Sequence, residues 1–113
     1  MELTVTHHDG YVLVKSAGPL DENARSSFRE RLHPLVGKPG TRLVLDLSGS
    51  ARINSPGVGN LVALVADANT QGSRVTLCGL APLVAGVMSV TKLNTYFDIA
   101  PNVEAAVAKL RGN

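Results

Sequence analysis

The sequence predicts an α/β fold: one domain over residues 1–113, with a mostly parallel β-sheet, an N-terminal antiparallel hairpin and about four helices. Three observations carry that expectation. Short β-rich runs alternate with segments of helical period, in the order β-β-α-β-α-β-α-β-α, and such alternation implies parallel strands joined by right-handed crossovers. Leu43-Val44-Leu45 with Leu47 is a nearly continuous apolar run, the pattern of a strand covered on both faces. Asp9-Gly10 lies between the first two β-rich runs, where both residues tolerate the positive φ of a tight hairpin turn.

Leu3 to Thr6 and Tyr11 to Lys15 are the hairpin strands, and His7 and His8 fall at its solvent-facing tip. No Asp, Glu or Cys stands near those histidines at ligand spacing, so no metal site is assigned. Gly18-Pro19-Leu20-Asp21 ends the second strand and opens a helix that Asp21 is expected to cap. Leu20, Ala24, Phe28, Leu32 and Leu35 recur at three- and four-residue steps as its buried face, with Arg25, Arg29, Glu30 and Arg31 solvated. Pro34 is expected to end or kink it. Gly37-Lys38-Pro39-Gly40-Thr41 lacks phosphate-loop spacing and precedes a strand, so it reads as a turn.

After the strand Arg42 to Leu47, a long helix is expected from about Pro56 to Gln71. Its stripe would be Val58, Leu61, Val62, Val65 and Ala66, and Gly72 its stop signal. Arg74 to Cys78 is the next buried strand. Pro82 to about Leu93 is a third helix, with Leu83, Val87 and Val90 or Thr91 on its inner side, although Gly86 weakens it. Tyr96 to Ile99 is a short edge strand. Asn102 caps a last amphipathic helix to Leu110, with Val103, Ala106, Val107 and Leu110 inward.

Composition narrows the function. Over 113 residues the chain is 44% hydrophobic, 18% charged and 4% aromatic, so the core rests on aliphatic side chains. Its net charge is +2 and its cations are scattered, which argues against nucleic acid as a partner. The apolar runs are too short to span a bilayer and no basic leader precedes the first strand, so the expectation is a cytoplasmic protein without membrane insertion. Cys78, the one cysteine, falls in an apolar strand and reads as a core residue.

The chemistry concentrates at Asn54-Ser55-Pro56-Gly57-Val58-Gly59, where the long helix begins. Ser55 is expected as its N-cap, Pro56 as its first residue, and Gly57 and Gly59 as leaving a flat surface for an approaching chain. The helix dipole would favour a negative group on that serine. A hydrolase reading fails on motif: Ile53-Asn54-Ser55-Pro56-Gly57 is not G-x-S-x-G, and His33 is the one histidine outside the hairpin. Gly57-Val58-Gly59 lacks the third glycine of a dinucleotide fingerprint. No catalytic residue and no cofactor is assigned. From the residues alone, Ser55 is either a plain cap or a modifiable docking position.

Gly18-Pro19-Leu20-Asp21 after a strand, Leu45-Asp46-Leu47-Ser48, and the Asn54-to-Gly59 turn together resemble STAS domains, most closely the anti-sigma factor antagonists of bacterial partner switching. The resemblance extends through Val75-Leu77-Cys78-Gly79 and over nearly the whole chain. It implies a STAS-like α/β domain that, when unphosphorylated, binds an anti-sigma factor that is also a serine kinase of GHKL type. Phosphorylation by that kinase would reverse binding, and a serine phosphatase is a further implied partner. By the resemblance, the family motif Asp-Ser-(Ser/Thr)-Gly, whose first serine is phosphorylated, implies Ser55 as that residue, and the family aspartate after the second strand maps to Asp21 near it. Asn54 stands where the family has Asp, and Pro56 where it has Ser or Thr. The expected partner surface is Asp21, Asn54, Ser55, Pro56, Gly57, Val58 and Gly59. The same resemblance admits an alternative, a non-phosphorylated STAS subunit of a scaffold or a lipid-transport ABC complex.

Overall fold

In the computed structural model, which describes residues 1–111, the element order is β1 (Glu2–His8), β2 (Tyr11–Ala17), α1 (Ala24–Arg31), α2 (His33–Val36), β3 (Arg42–Gly49), α3 (Ser55–Gln71), β4 (Arg74–Cys78), α4 (Pro82–Val90), β5 (Asp98–Ala100) and α5 (Val103–Arg111). The five strands form one sheet in the order β1-β2-β3-β4-β5. Only β1 and β2 pair antiparallel, His8 opposite Tyr11 across a turn in which Gly10 takes φ 86°. The other three pairings are parallel. The expected α/β architecture is what the chain adopts.

The period of two along each strand sorts side chains between two cores. Val14, Leu43, Leu45, Leu47, Val75 and Leu77 point to one face and pack with Leu20, Phe28, Leu32, Leu61, Leu64, Val84 and Met88 from α1 to α4 and their connections. Val44, Cys78 and Ala100 point to the other face, where Ala106 and Leu110 of α5 cover them. The central strands are therefore buried on both faces.

The first helix differs from expectation at its start and in its last inward residue. Asp21 does not cap it: its carboxylate accepts from Asn23 N at 2.9 Å, an Asx-type turn, and α1 begins only at Ala24. Pro34 breaks the segment as expected, and a second short helix starts at His33. The break shifts the inward face by one residue, burying Val36 where Leu35 was expected and leaving Leu35 half-buried. Gly72 terminates α3 in the left-handed region at φ 77°, donating to Ala68 and Asn69 carbonyls. Asn102 caps α5 by accepting from Ala105 N at 2.8 Å.

The long apolar helices rotate relative to the expected faces. In α3 the buried set is Gly57, Leu61, Leu64, Val65 and Ala68, whereas Val58 and Val62 are half-buried and Ala66 is exposed. In α4 the buried residues are Val84 and Met88; Leu83 and Val90, expected inward, are 57% and 85% exposed. Both helices are apolar on more than one side, so a 3.6-residue period alone does not choose between the neighbouring stripes. The third helix also ends at Val90, short of Leu93.

Candidate functional site

The parallel track of β2 beside β3 continues past both strands. Gly18 N donates to Gly49 O at 3.1 Å, Leu20 N to Arg52 O at 2.8 Å and Asn54 N to Leu20 O at 3.1 Å, with Leu20 and Ile53 forming a bridge. This track carries Asp21 and Asn54, distant in sequence, to the rim of the same helix start. Asn60 of α3 ties it further by donating from Nδ2 to the Asp21 carbonyl at 3.0 Å.

Asn54, not Ser55, is the N-cap of α3. It sits in extended backbone, and its Oδ1 accepts from Gly57 N at 2.9 Å. The same amide donates through Nδ2 to Glu22 Oε2 at 3.3 Å. A carboxylate there could accept from Gly57 but could not donate to Glu22, so the amide suits this particular neighbour. Ser55 becomes the first helical residue and Pro56 the second, where a missing N–H is still one of the helix's four unpaired donors. Ser55 is exposed, and its hydroxyl makes no hydrogen bond among the described residues.

Gly57 has a different role from the one expected. It is buried, and a Cβ on it would lie 1.9 Å from the Leu20 carbonyl oxygen and 2.4 Å from its carbon. The absent side chain admits the protein's own Leu20–Asp21 backbone, not a partner chain. Gly59 is exposed, with no atom within 4 Å of a built Cβ, and leaves open surface as expected.

Two shallow grooves meet at Ile53 and Asn54. One, about 330 Å³, is lined by Pro19, Leu20, Asp21, Arg52, Ile53 and Asn54. The other, about 280 Å³, is lined by Ile53, Asn54, Ser55, Val58, Val87 and Thr91. Val87 and Thr91 also border a larger apolar groove of about 420 Å³ along α4, with Pro82, Leu83, Gly86 and Val90. Arg52, Val87 and Thr91 were not foreseen at the site; their adjacency to Ser55 arises from tertiary packing and leaves no local sequence signal.

No nucleophile–base pair forms here. His33 Nδ1 lies 2.7 Å from Asp67 Oδ2, in a separate cleft. Cys78 is fully buried; burial, and secondarily the negative charge of Asp46, push its thiol up to about 11, far from a thiolate at neutral pH. No helix among the described residues is long and apolar enough to cross a membrane.

A mainly parallel five-stranded sheet, an antiparallel leading hairpin and an exposed serine opening the helix after the central strand define the class of a small single-sheet α/β domain. Residues 2–106 match the family model described as "STAS domain", and the chain belongs to the STAS domain family. It is 32% identical over 113 residues to BtrV of Bordetella bronchiseptica, which carries the provisional name anti-sigma factor antagonist; the match covers 98% of this chain and 96% of BtrV. Among solved structures, an anti-sigma factor antagonist from Mycobacterium paratuberculosis superposes with a TM-score of 0.84 at 22% identity, covering 97% of this chain and 93% of that one. The anti-sigma factor antagonist SpoIIAA in its unphosphorylated form gives 0.79 at 18%, covering 99% and 98%. At those identities the superpositions establish the fold, which is that of the anti-sigma factor antagonists.

Proposed function

We propose that this protein is a cytoplasmic anti-sigma factor antagonist that works by partner switching. The unmodified chain binds an anti-sigma factor that is also a GHKL-type serine kinase, through the surface around Ser55. That kinase phosphorylates Ser55 and is released, and a serine phosphatase resets the cycle. The protein itself performs no catalysis; it is a docking surface whose affinity is changed by one covalent group.

The observation that carries this reading is the free, exposed hydroxyl of Ser55 on a helix start already capped by Asn54. Because the cap is a neighbour's, modifying Ser55 removes no hydrogen bond from the fold. A phosphate there adds about −1.5 to −2 charges, which the helix dipole favours by about 0.3–1 kcal/mol. In an interface that had covered a neutral hydroxyl, the same charge costs roughly 2–5 kcal/mol of affinity. The fold therefore tolerates the group that the complex does not. The apolar grooves over Val58, Val87 and α4 supply the contact area, and Asp21, Asn54, Pro56 and Gly59 its polar and open rim. Gly57 contributes indirectly, by holding Asp21 in place.

The test is binding of purified variants to the candidate GHKL kinase by calorimetry. Ser55→Ala is expected to bind like the wild type. Ser55→Asp is expected to fold normally and bind at least about 30-fold more weakly. Equal affinity of the Asp variant overturns the switch.

A further inference from the structure

On the side of α3 away from the α4 groove, its contact with α1 leaves a cleft of about 340 Å³ lined by Arg25, Phe28, Arg29, His33, Asn60 and Ala63. Arg25, Arg29 and His33 recur at four-residue steps, so they stack along one ridge of α1 and its continuation into α2. Asn60 and Ala63 face them from α3.

The polar groups of this cleft are held but not used up. The Asp67 carboxylate can only accept, so the proton in the 2.7 Å contact sits on His33 Nδ1 and Nε2 is left for another partner. The Asn60 amide spends a donor on the Asp21 carbonyl, which fixes its orientation. The guanidinium groups of Arg25 and Arg29 make no ion pair or hydrogen bond among the described residues. Of the neighbouring acids, Asp21 accepts from Asn23 N, Glu22 from Asn54, and Asp67 from His33. Buried Phe28 supplies an apolar floor to the cleft. Two guanidinium groups stand together on this ridge, and the Asp67 carboxylate that faces it is taken up by His33.

We propose that this cleft binds a small phosphate monoester, its phosphate held by the paired guanidinium groups of Arg25 and Arg29 with His33 Nε2 as a third contact. Guanidinium forks match the oxygen geometry of phosphate and bind it bidentately. The volume lies at the small end of ligand sites, with room for a phosphate on a short carbon body. The site is separate from the Ser55 grooves and does not depend on the partner-switching role.

The experiment is an amide-resolved NMR titration of the full chain with glycerol 3-phosphate and, separately, inorganic phosphate, at constant ionic strength set by chloride. Saturable shifts on α1 and on residues 60–67 are expected, with a dissociation constant on the order of 1 mM. Arg25→Ala and Arg29→Ala should each weaken binding about tenfold; both positions are exposed, and the variants' own spectra report whether the fold is kept. Saturation by glycerol 3-phosphate but not by inorganic phosphate supports an ester site, and equal saturation by both supports the phosphate contact itself. Non-saturating drift, the same shifts in chloride alone, shifts confined to residues 54–57, or undiminished binding in both arginine variants overturns the proposal.

Discussion

Gly57 and Gly59 stand two residues apart on one helix and ask opposite things of a side chain. In the interior of a helix, Gly→Ala ordinarily stabilises by about 0.5–1 kcal/mol, because alanine surrenders less backbone entropy on folding. At Gly59 nothing lies within 4 Å of a built Cβ, so Gly59→Ala is expected to gain about that much. At Gly57 the new carbon would sit 1.9 Å from the Leu20 carbonyl oxygen, a backbone atom whose position is fixed by its bond from Asn54 N. Gly57→Ala is therefore expected to destabilise by at least about 2 kcal/mol. Urea unfolding of the two variants reads both signs, and a stabilised Gly57→Ala would contradict the close approach. The sequence identified these residues as special without distinguishing them. A glycine that opens a surface and one that admits the chain's own backbone look alike until the Leu20–Ile53 bridge is known. The same non-local fact explains the cap. Ser and Asn are comparably good N-caps, and only the extended backbone of Asn54, with its side-chain amide accepting from Gly57 N and donating to Glu22, places the helix start one residue earlier than expected.

At the scale of elements, strands were more legible than helix faces. Every β-strand was anticipated to within a few residues, because short β-branched runs between Gly, Pro and Asp turns admit few alternatives. The track that joins Gly18–Leu20 to Gly49–Asn54, and so assembles the site, was not legible, since it is made of loop backbone. The expected face of α4 is misplaced and that of α3 only partly right, Leu61 and Val65 being buried and Ala66 exposed, because apolar residues occupy neighbouring stripes. In α4 that surplus has a consequence. Leu83 and Val90 lie on solvent while Val84 and Met88 fill the core, so the helix holds more apolar surface than the fold needs. Its groove shares Val87 and Thr91 with the groove at Ser55. If the proposed partner covers this strip, the double variant Leu83→Ser, Val90→Ser should bind it at least about tenfold more weakly, since fully burying one such side chain contributes about 1.5–3 kcal/mol. Its folding stability should change by no more than about 0.5 kcal/mol per site, as is usual for surface positions. Unchanged affinity would confine the interface to the grooves around Ile53 and Asn54.

At the scale of the whole molecule, the two faces of the sheet are unequally secured. Four helical segments cover one face, whereas α5 alone closes the other over Val44, Cys78 and Ala100. Besides that apolar contact, several polar ties hold the helix: Arg42 Nη1 donates to the Leu110 carbonyl at 3.3 Å, Arg111 Nη2 to the Asp9 carbonyl at 3.0 Å, and one carboxylate of β5 joins α5 to β4. Asp98 of β5 receives Lys109 from α5, Arg74 Nε and Nη2 at 3.1 and 2.9 Å, and Thr76 Oγ1 at 3.0 Å from β4. Partial burial pushes the Asp98 pKa up, but hydrogen bonds from Lys109, Thr76 and Arg74 outweigh it and hold the group below its ordinary value. A carboxylate whose folded pKa is depressed stabilises the fold fully above its unfolded pKa of about 3.9. That contribution is lost as pH falls through the lower, folded value. Asp98→Asn keeps the shape but removes the charge, and near neutral pH it is expected to cost about 1–2 kcal/mol, reduced from a buried network because Arg74 and Lys109 are each more than two-fifths exposed. Unfolding curves of wild type and variant should then converge as pH drops below about 4. Hydrogen exchange should locate the loss first in α5, the helix tied to Asp98 through Lys109, while α3 on the opposite face stays protected. A gap that persists unchanged into acid would mean that Asp98 acts through packing and not through its charge.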